Sequence, residues 1–197
     1  MRQPVRSIWR NVDRHYTGRR AGRVEERKIM AKDFFIADTH FGGENIRRYE
    51  NRPFETAAEM DGKLIENWNR VVGEADTVYV LGDFSDYFDE EKEREILMKL
   101  KGTKILVMGN HDRHRTPQKW RELGFAECSP WQIIYKDFYL LSHEPMYINT
   151  NMPYANFYGH VHGNPSYKDA CKQSVCVSVE RISYAPIQFE ELRERMK

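Results

Sequence analysis

Five short apolar runs, each ending on side chains that can bind a metal, constrain this chain more than any other feature. Phe34-Phe35-Ile36-Ala37 precedes Asp38-Thr39-His40, Val78-Tyr79-Val80-Leu81 precedes Gly82-Asp83, and Ile105-Leu106-Val107-Met108 precedes Gly109-Asn110-His111-Asp112. Phe138-Tyr139-Leu140-Leu141 and Asn156-Phe157-Tyr158 then run into Ser142-His143 and Gly159-His160-Val161-His162. Runs this short, and this rich in β-branched and aromatic residues, read as buried strands. Ligands in α/β sheets gather just beyond the carboxyl ends of strands. The pattern therefore predicts one metal centre assembled by the whole domain.

Between these runs the chain alternates strand with helix. From residue 57 to 72, Met60, Leu64, Ile65, Trp68, Val71 and Val72 fall at helical steps of three and four. Residues 89–101 open on acids and close on Lys99 and Lys101, as a helix dipole favours, with Ile96, Leu97 and Leu100 as the core face. Gly102 is placed to end that helix. The first half is thus β-α-β-α-β, which implies a parallel sheet with right-handed crossovers. Later strands are expected near 132–135, 138–141, 156–158, 175–179 and 182–184, joined by loops, before a final helix over 188–196. Loop-joined strands imply a second, more antiparallel sheet. The expected fold class is an α/β four-layer sandwich, two packed mixed β-sheets flanked by helices. A chain of 197 residues with 40% hydrophobic content has room for one such domain.

Residues 1–29 show no sustained period and read as a basic, disordered extension ahead of a domain over residues 30–197. Residues 1–28 carry eight Arg and one Lys against Asp13, Glu25 and Glu26, so a chain of net charge +1 divides into a +6 arm and a −5 body. Met30 stands directly before the first strand, which makes it an alternative start of translation; a basic arm and a targeting peptide are the other readings. The mildly acidic body argues against a dedicated nucleic-acid binder. No apolar stretch reaches the ~18–20 residues that span a bilayer. Cys128, Cys171 and Cys176 have no repeated spacing and do not make a disulfide framework. A soluble protein of the reducing cytoplasm is expected.

Asp38-Thr39-His40 and His160-Val161-His162 share a step of two residues, which in extended backbone sends both side chains to one side. Oxygens from Asp38, Asp83 and Asn110, with imidazoles from His40, His143, His160 and His162, suit a divalent transition metal of intermediate softness. Seven ligands exceed one tetrahedral site and suit two metals about 3.5–4 Å apart, sharing a carboxylate. The ordered motifs D-x-H, G-D-x-x-D, G-N-H-D, H and G-H-x-H resemble the calcineurin-like metallophosphoesterase superfamily over 125 of the 197 residues. The resemblance implies that Asp38, His40, Asp83 and His162 bind one metal, and that Asp83, Asn110, His143 and His160 bind the other. It implies hydrolysis of a phosphodiester or phosphomonoester by in-line attack of a metal-bridging hydroxide. Mn²⁺ is the favoured ion at both positions, with Ni²⁺, Fe²⁺ and Zn²⁺ as alternatives. His111, outside the ligand set, would face the leaving group and give it a proton, with Asp112 orienting or charging its ring. His15 and His114 read as solvated surface residues.

Gly82-Asp83-Phe84-Ser85-Asp86-Tyr87 lacks the Arg that completes this motif in protein serine/threonine phosphatases, and the chain is short for that class. Residues 38–54 look like a small bacterial branch of the superfamily that commonly reads D-T-H-F-G-H-x-N-I, with Gly43 where the second His would stand. Arg47, Arg48 and Arg52 in this stretch are candidates for bidentate phosphate contacts. The expected partner is a small phosphorylated substrate, nucleotide-derived compounds being one option, with no membrane involved. A nuclease acting on DNA or RNA is the runner-up, and a catalytically silent binding scaffold the third reading.

Overall fold

A computed structural model of the chain describes residues 31–148, 151, 154–167 and 172–196. The 1–29 extension, His15 and Cys171 lie outside the described residues. The first half comprises β1 (Asp33–Ile36), α1 (Glu44–Tyr49), α2 (Ala57–Val71), β2 (Thr77–Val80), α3 (Glu90–Lys99), β3 (Thr103–Val107), α4 (Pro117–Leu123) and β4 (Glu127–Ser129). The second comprises β5 (Ile133–Tyr135), β6 (Tyr139–Leu141), β7 (Ala155–Tyr158), β8 (Ser174–Cys176), β9 (Ile187–Gln188) and α5 (Phe189–Arg195).

Two mixed sheets with flanking helices result, the α/β architecture expected. One sheet has the order β4-β3-β2-β1-β9, parallel except for β9, and the other has the order β5-β6-β7-β8. In the second sheet only β5 is antiparallel, since β6, β7 and β8 pair in parallel. The expectation of a more antiparallel second sheet is corrected by connection length. A parallel return needs about a dozen residues or more, and segments 142–154 and 159–173 supply that. Two further departures are local. Residues 182–184 form no strand, because Ser183 and Tyr184 both take left-handed backbone at φ 58, and Leu100 rather than Gly102 caps α3.

Helices α2, α3 and α4 begin where side chains can satisfy free N–H groups: Thr56, Asp89 and Thr116 each accept from the first turn behind them. Phe35 and Tyr79, register partners on β1 and β2, stack at 5.2 Å and meet Tyr135 and Phe157 from the second sheet. Strand alternation then turns Phe34, Ile36, Val78 and Val80 to the opposite face, where they too are buried. Crossover helices account for that burial, α2 contributing Met60, Leu64 and Trp68. Among the described residues no helix is long and apolar enough to cross a membrane.

The two sheets are joined at one end, where Ala37 bridges Ser178 in parallel and the Ala37 N–H donates to Val177 O. That junction brings the carboxyl ends of β1, β2, β3, β6, β7 and β8 to a common edge.

Candidate metal centre

At this edge the main chain leaves extended geometry. Asp38, His40, Asp83, His160 and His162 have φ of 58, 46, 54, 69 and 49, so five of the seven candidate ligands are left-handed. The two-residue step works through tight reversals, not through extended backbone. Each reversal is tied down: the Asp38 N–H donates to Gly82 O, the His40 N–H to Asp83 O, and the Gly159 N–H to His143 O. Gly82 is required by close approach, since a Cβ there would lie 2.3 Å from His143 Nδ1.

Four donor groups form among the described residues; His40, Asp83 and His111 make one, Glu50, His162 and Glu180 another, and the remaining two take in six of the candidate ligands. Asp38, His40 and His162 offer atoms within 4.8 Å of one another, and so do Asp83, His143 and His160. In the second group His143 Nε2 lies 3.0 Å from Asn110 Oδ1, 3.1 Å from His160 Nδ1 and 3.3 Å from Asp83 Oδ2. Donors bound to one ion at about 2.1 Å sit about 3 Å apart at right angles, so these spacings fit a coordination sphere. The first group is looser, with His40 Nε2 at 3.6 Å from Asp83 Oδ2 and His162 Nε2 at 4.0 Å from Asp38 Oδ1. His40 Nε2 is buried without a hydrogen-bond partner. A lone pair left bare in a desolvated site fits a cation.

The other ring nitrogen of each buried histidine is engaged from behind. His143 donates through Nδ1 to Leu81 O, His40 to Asp86 Oδ2 and His162 to Glu180 Oε1. Such bonds fix the tautomer and aim Nε2 inward. Burial opposes charge on His143, but the Asp83 carboxylate outweighs it and raises the ring to about 9. Burial likewise opposes the Asp83 anion, and His143 and His40 hold it well below the usual carboxylate range. Against burial, Glu180 raises His162, while His162 and Arg52 lower Glu180.

The role expected of Asp112 moves to another residue. Asp112 does not meet the His111 ring. It is fully buried and accepts from the N–H groups of Asp83, Gly109 and Phe84, clamping two ligand loops together. Asp86 is the residue at the ring, accepting from His111 Nδ1 at 2.8 Å while its other oxygen serves His40. Arg52 does not face a substrate: its side chain is 0% exposed, donates to Asp38 O and Thr39 O, and pairs with Glu180 at 2.7 Å. Arg47 donates to Glu44 and Phe54 O, and Arg48, mostly exposed, pairs with Glu44. His114 lies at the surface, as expected, but it is not free: it bonds His111 O and Glu93 and packs on Phe88 and Trp120.

Asp86, Glu180 and Ser178, whose hydroxyl donates to Asp38 Oδ2 at 2.5 Å, were given no role by the sequence reading. Each had a cue. Asp86 is the last position of G-D-x-x-D, and Ser178 ends the apolar run Val175-Cys176-Val177 as the candidate ligands end theirs.

The family model described as calcineurin-like phosphoesterase matches residues 34–184. An uncharacterized protein of Methanocaldococcus jannaschii is 36% identical over 167 residues, covering 82% of this chain and 89% of that protein. The gene 66 protein of Mycobacterium phage L5 is 32% identical over 85 residues, 42% of this chain and 41% of its own length. The crystal structure of a protein of unknown function from Aquifex aeolicus aligns with a TM-score of 0.67 at 30% identity, covering 83% of this chain and 98% of that one. The matched segment holds all seven candidate ligands together with Asp86 and His111, and with it the chain belongs to the calcineurin-like phosphoesterase family.

Proposed function

We propose that the protein is a dinuclear-metal-dependent phosphoesterase that hydrolyses a small phosphodiester or phosphomonoester in the cytoplasm by in-line attack of activated water. The observation that carries this reading is the pair of donor groups at one sheet edge, with Asp83 facing both. Asp38, His40, Asp83 and His162 would hold one cation, and Asp83, Asn110, His143 and His160 the other. Bound divalent ions would supply water activation and neutralise charge building on the phosphoryl oxygens. Mixed imidazole and oxygen donors suit Mn²⁺, the first ion to test, with Ni²⁺, Fe²⁺ and Zn²⁺ next.

The chain's own contribution is proton handling. His111 is 4.7 Å edge-on from the His40 ring and opens to solvent. With Nδ1 committed to Asp86, its Nε2 is the atom available to a departing oxygen. The Asp86 carboxylate accepts from Nδ1 and fixes the plane of the ring. Asp112 acts at one remove, holding the Asp83 and Asn110 loops in register through backbone N–H groups.

Metal content and turnover of an aryl phosphodiester after loading with each ion test the reading. Two ions per chain and metal-dependent turnover are expected; absence of turnover with every ion would overturn it. His111→Ala should keep both metals and lose far more activity on alkyl esters than on nitrophenyl esters. Equal losses on both would remove His111 from proton transfer.

A further inference from the structure

Beside His111 opens a cleft of ≈ 490 Å³, with Asp86 and His111 at one end and Ile46, Tyr49 and Phe88 among its walls. Pockets that hold small organic ligands run to about 300–1,000 Å³, so this space suits a group much larger than a simple alkoxide. Its position matters more than its size. A leaving group that takes its proton from His111 departs into this cleft.

The lining is unusual for a solvent-facing surface. Tyr49 is 83% exposed and Phe88 61% exposed. Phe88 also sits at φ 52, left-handed backbone in which a bulky residue is rare. It is braced by the His114 ring at 4.7 Å, and His114 in turn bonds the carbonyl of His111. The turn thus holds an aromatic face outward, against the pull of burial, in fixed relation to His111. Gly43 keeps the wall between α1 and Asp86 bare, since a Cβ there would come 2.7 Å from Asp86 Oδ2.

Charge narrows the ligand further. The cleft lining includes no Lys or Arg. Glu44 faces it, and the Arg47 guanidinium beside that carboxyl holds it down at about 2. Glu44 is also paired with Arg48, and Asp86 is bonded by His40 and His111, so the lining offers no free cation to hold a second phosphate. Asn45 adds an exposed amide that can both donate and accept.

We infer that the leaving group of the natural substrate is an uncharged nucleoside, its base seated against Tyr49 and Phe88. This rests on the phosphoesterase reading through the place of His111. In the reaction a water oxygen bonds to phosphorus and the bond from phosphorus to the nucleoside oxygen breaks. The electron pair leaves with that oxygen, which takes the proton from His111. The proton lost by the water restores the ring. Products are the free nucleoside and a phosphate, or a phosphomonoester where the substrate was a diester.

Two measurements test the inference separately from the chemistry. The first is calorimetric or NMR titration of the metal-free protein with adenosine, using ribose as control. Adenosine should bind, ribose should not, and Tyr49→Ala and Phe88→Ala should each weaken binding by about tenfold or more, as removal of a base-stacking aromatic does. The second compares AMP with ribose 5-phosphate, as monoesters and as methyl diesters, on Mn²⁺-loaded protein. The reacting atoms are shared, so the nucleoside series should lead in kcat/KM, and Tyr49→Ala should erase the lead. Failure of adenosine to bind, equal binding by the variants, or equal turnover without the base would overturn the nucleoside subsite. Preference for oligonucleotides that continue past the departing nucleoside would overturn it too. Loss of all turnover with adenosine binding intact would sink the phosphoesterase reading and leave the cleft's preference standing.

Discussion

The two donor groups of the candidate centre are held in different ways. In the Asp83, Asn110, His143 and His160 group each support has a main-chain partner: Leu81 O orients His143, the His160 N–H donates to the Asp38 carboxylate, and the Asp112 carboxylate gathers N–H groups from two loops. The Asp38, His40 and His162 group is set by side chains brought from afar, Ser178 on Asp38, Asp86 on His40, and Glu180 with Arg52 behind His162. The first arrangement converges at 3.0–3.3 Å and the second at 3.6–4.0 Å. Main-chain support fixes a position once the fold forms. Side-chain support can be altered one residue at a time, so the Asp38, His40 and His162 half should be the easier of the two to weaken by mutation.

Asp83→Asn should break the comparison altogether, because Asp83 faces both groups. Asn tolerates left-handed backbone, so the fold should persist while both metal-binding steps weaken by more than the ~10–100-fold of an outer-shell change. Metal titration of the purified variant reads this directly. Arg52→Met comes next. It removes the guanidinium from the buried Glu180 carboxylate and leaves His162 as its remaining charge partner, which costs up to about 3–5 kcal/mol, and at about 2–4 °C per kcal/mol for a chain of this size the thermal midpoint should fall by up to ~6–20 °C. Glu180→Gln should sharpen the contrast, weakening one metal-binding step ~10–100-fold and sparing the other. Equal weakening of both steps would show that the groups are not independent. Arg48→Ala should do least: it is exposed and paired only with Glu44, so stability should stay within about ±0.5 kcal/mol and turnover should not change.

How far the sequence could be read follows the same division. Strand ends were legible because a four-residue apolar run followed by Asp, Asn or His has few other meanings, and all seven candidate ligands meet at one edge. β4 and β9, three and two residues long, carry too little pattern to register. The side-chain supports were hidden for another reason. Arg47, Arg48 and Arg52 look alike in the sequence, yet only Arg52 is enclosed, because its partner Glu180 lies 128 residues away. Asp112 adjoins His111 in the chain, but the short 3-10 turn over His111–His114 sends its carboxylate into the interior, and Asp86 arrives from another loop to take the ring.

The left-handed ligands bear on how this fold ages in lineages. For residues other than glycine that conformation costs roughly 1–2 kcal/mol apiece, and Asp38, His40, Asp83, His160 and His162 all adopt it. A descendant with no use for the centre would relieve that backbone cost wherever glycine replaced them, one at a time. Retention of side chains at these five positions, against that drift, becomes a practical marker. It would sort relatives that still carry the centre from those that keep only the sandwich.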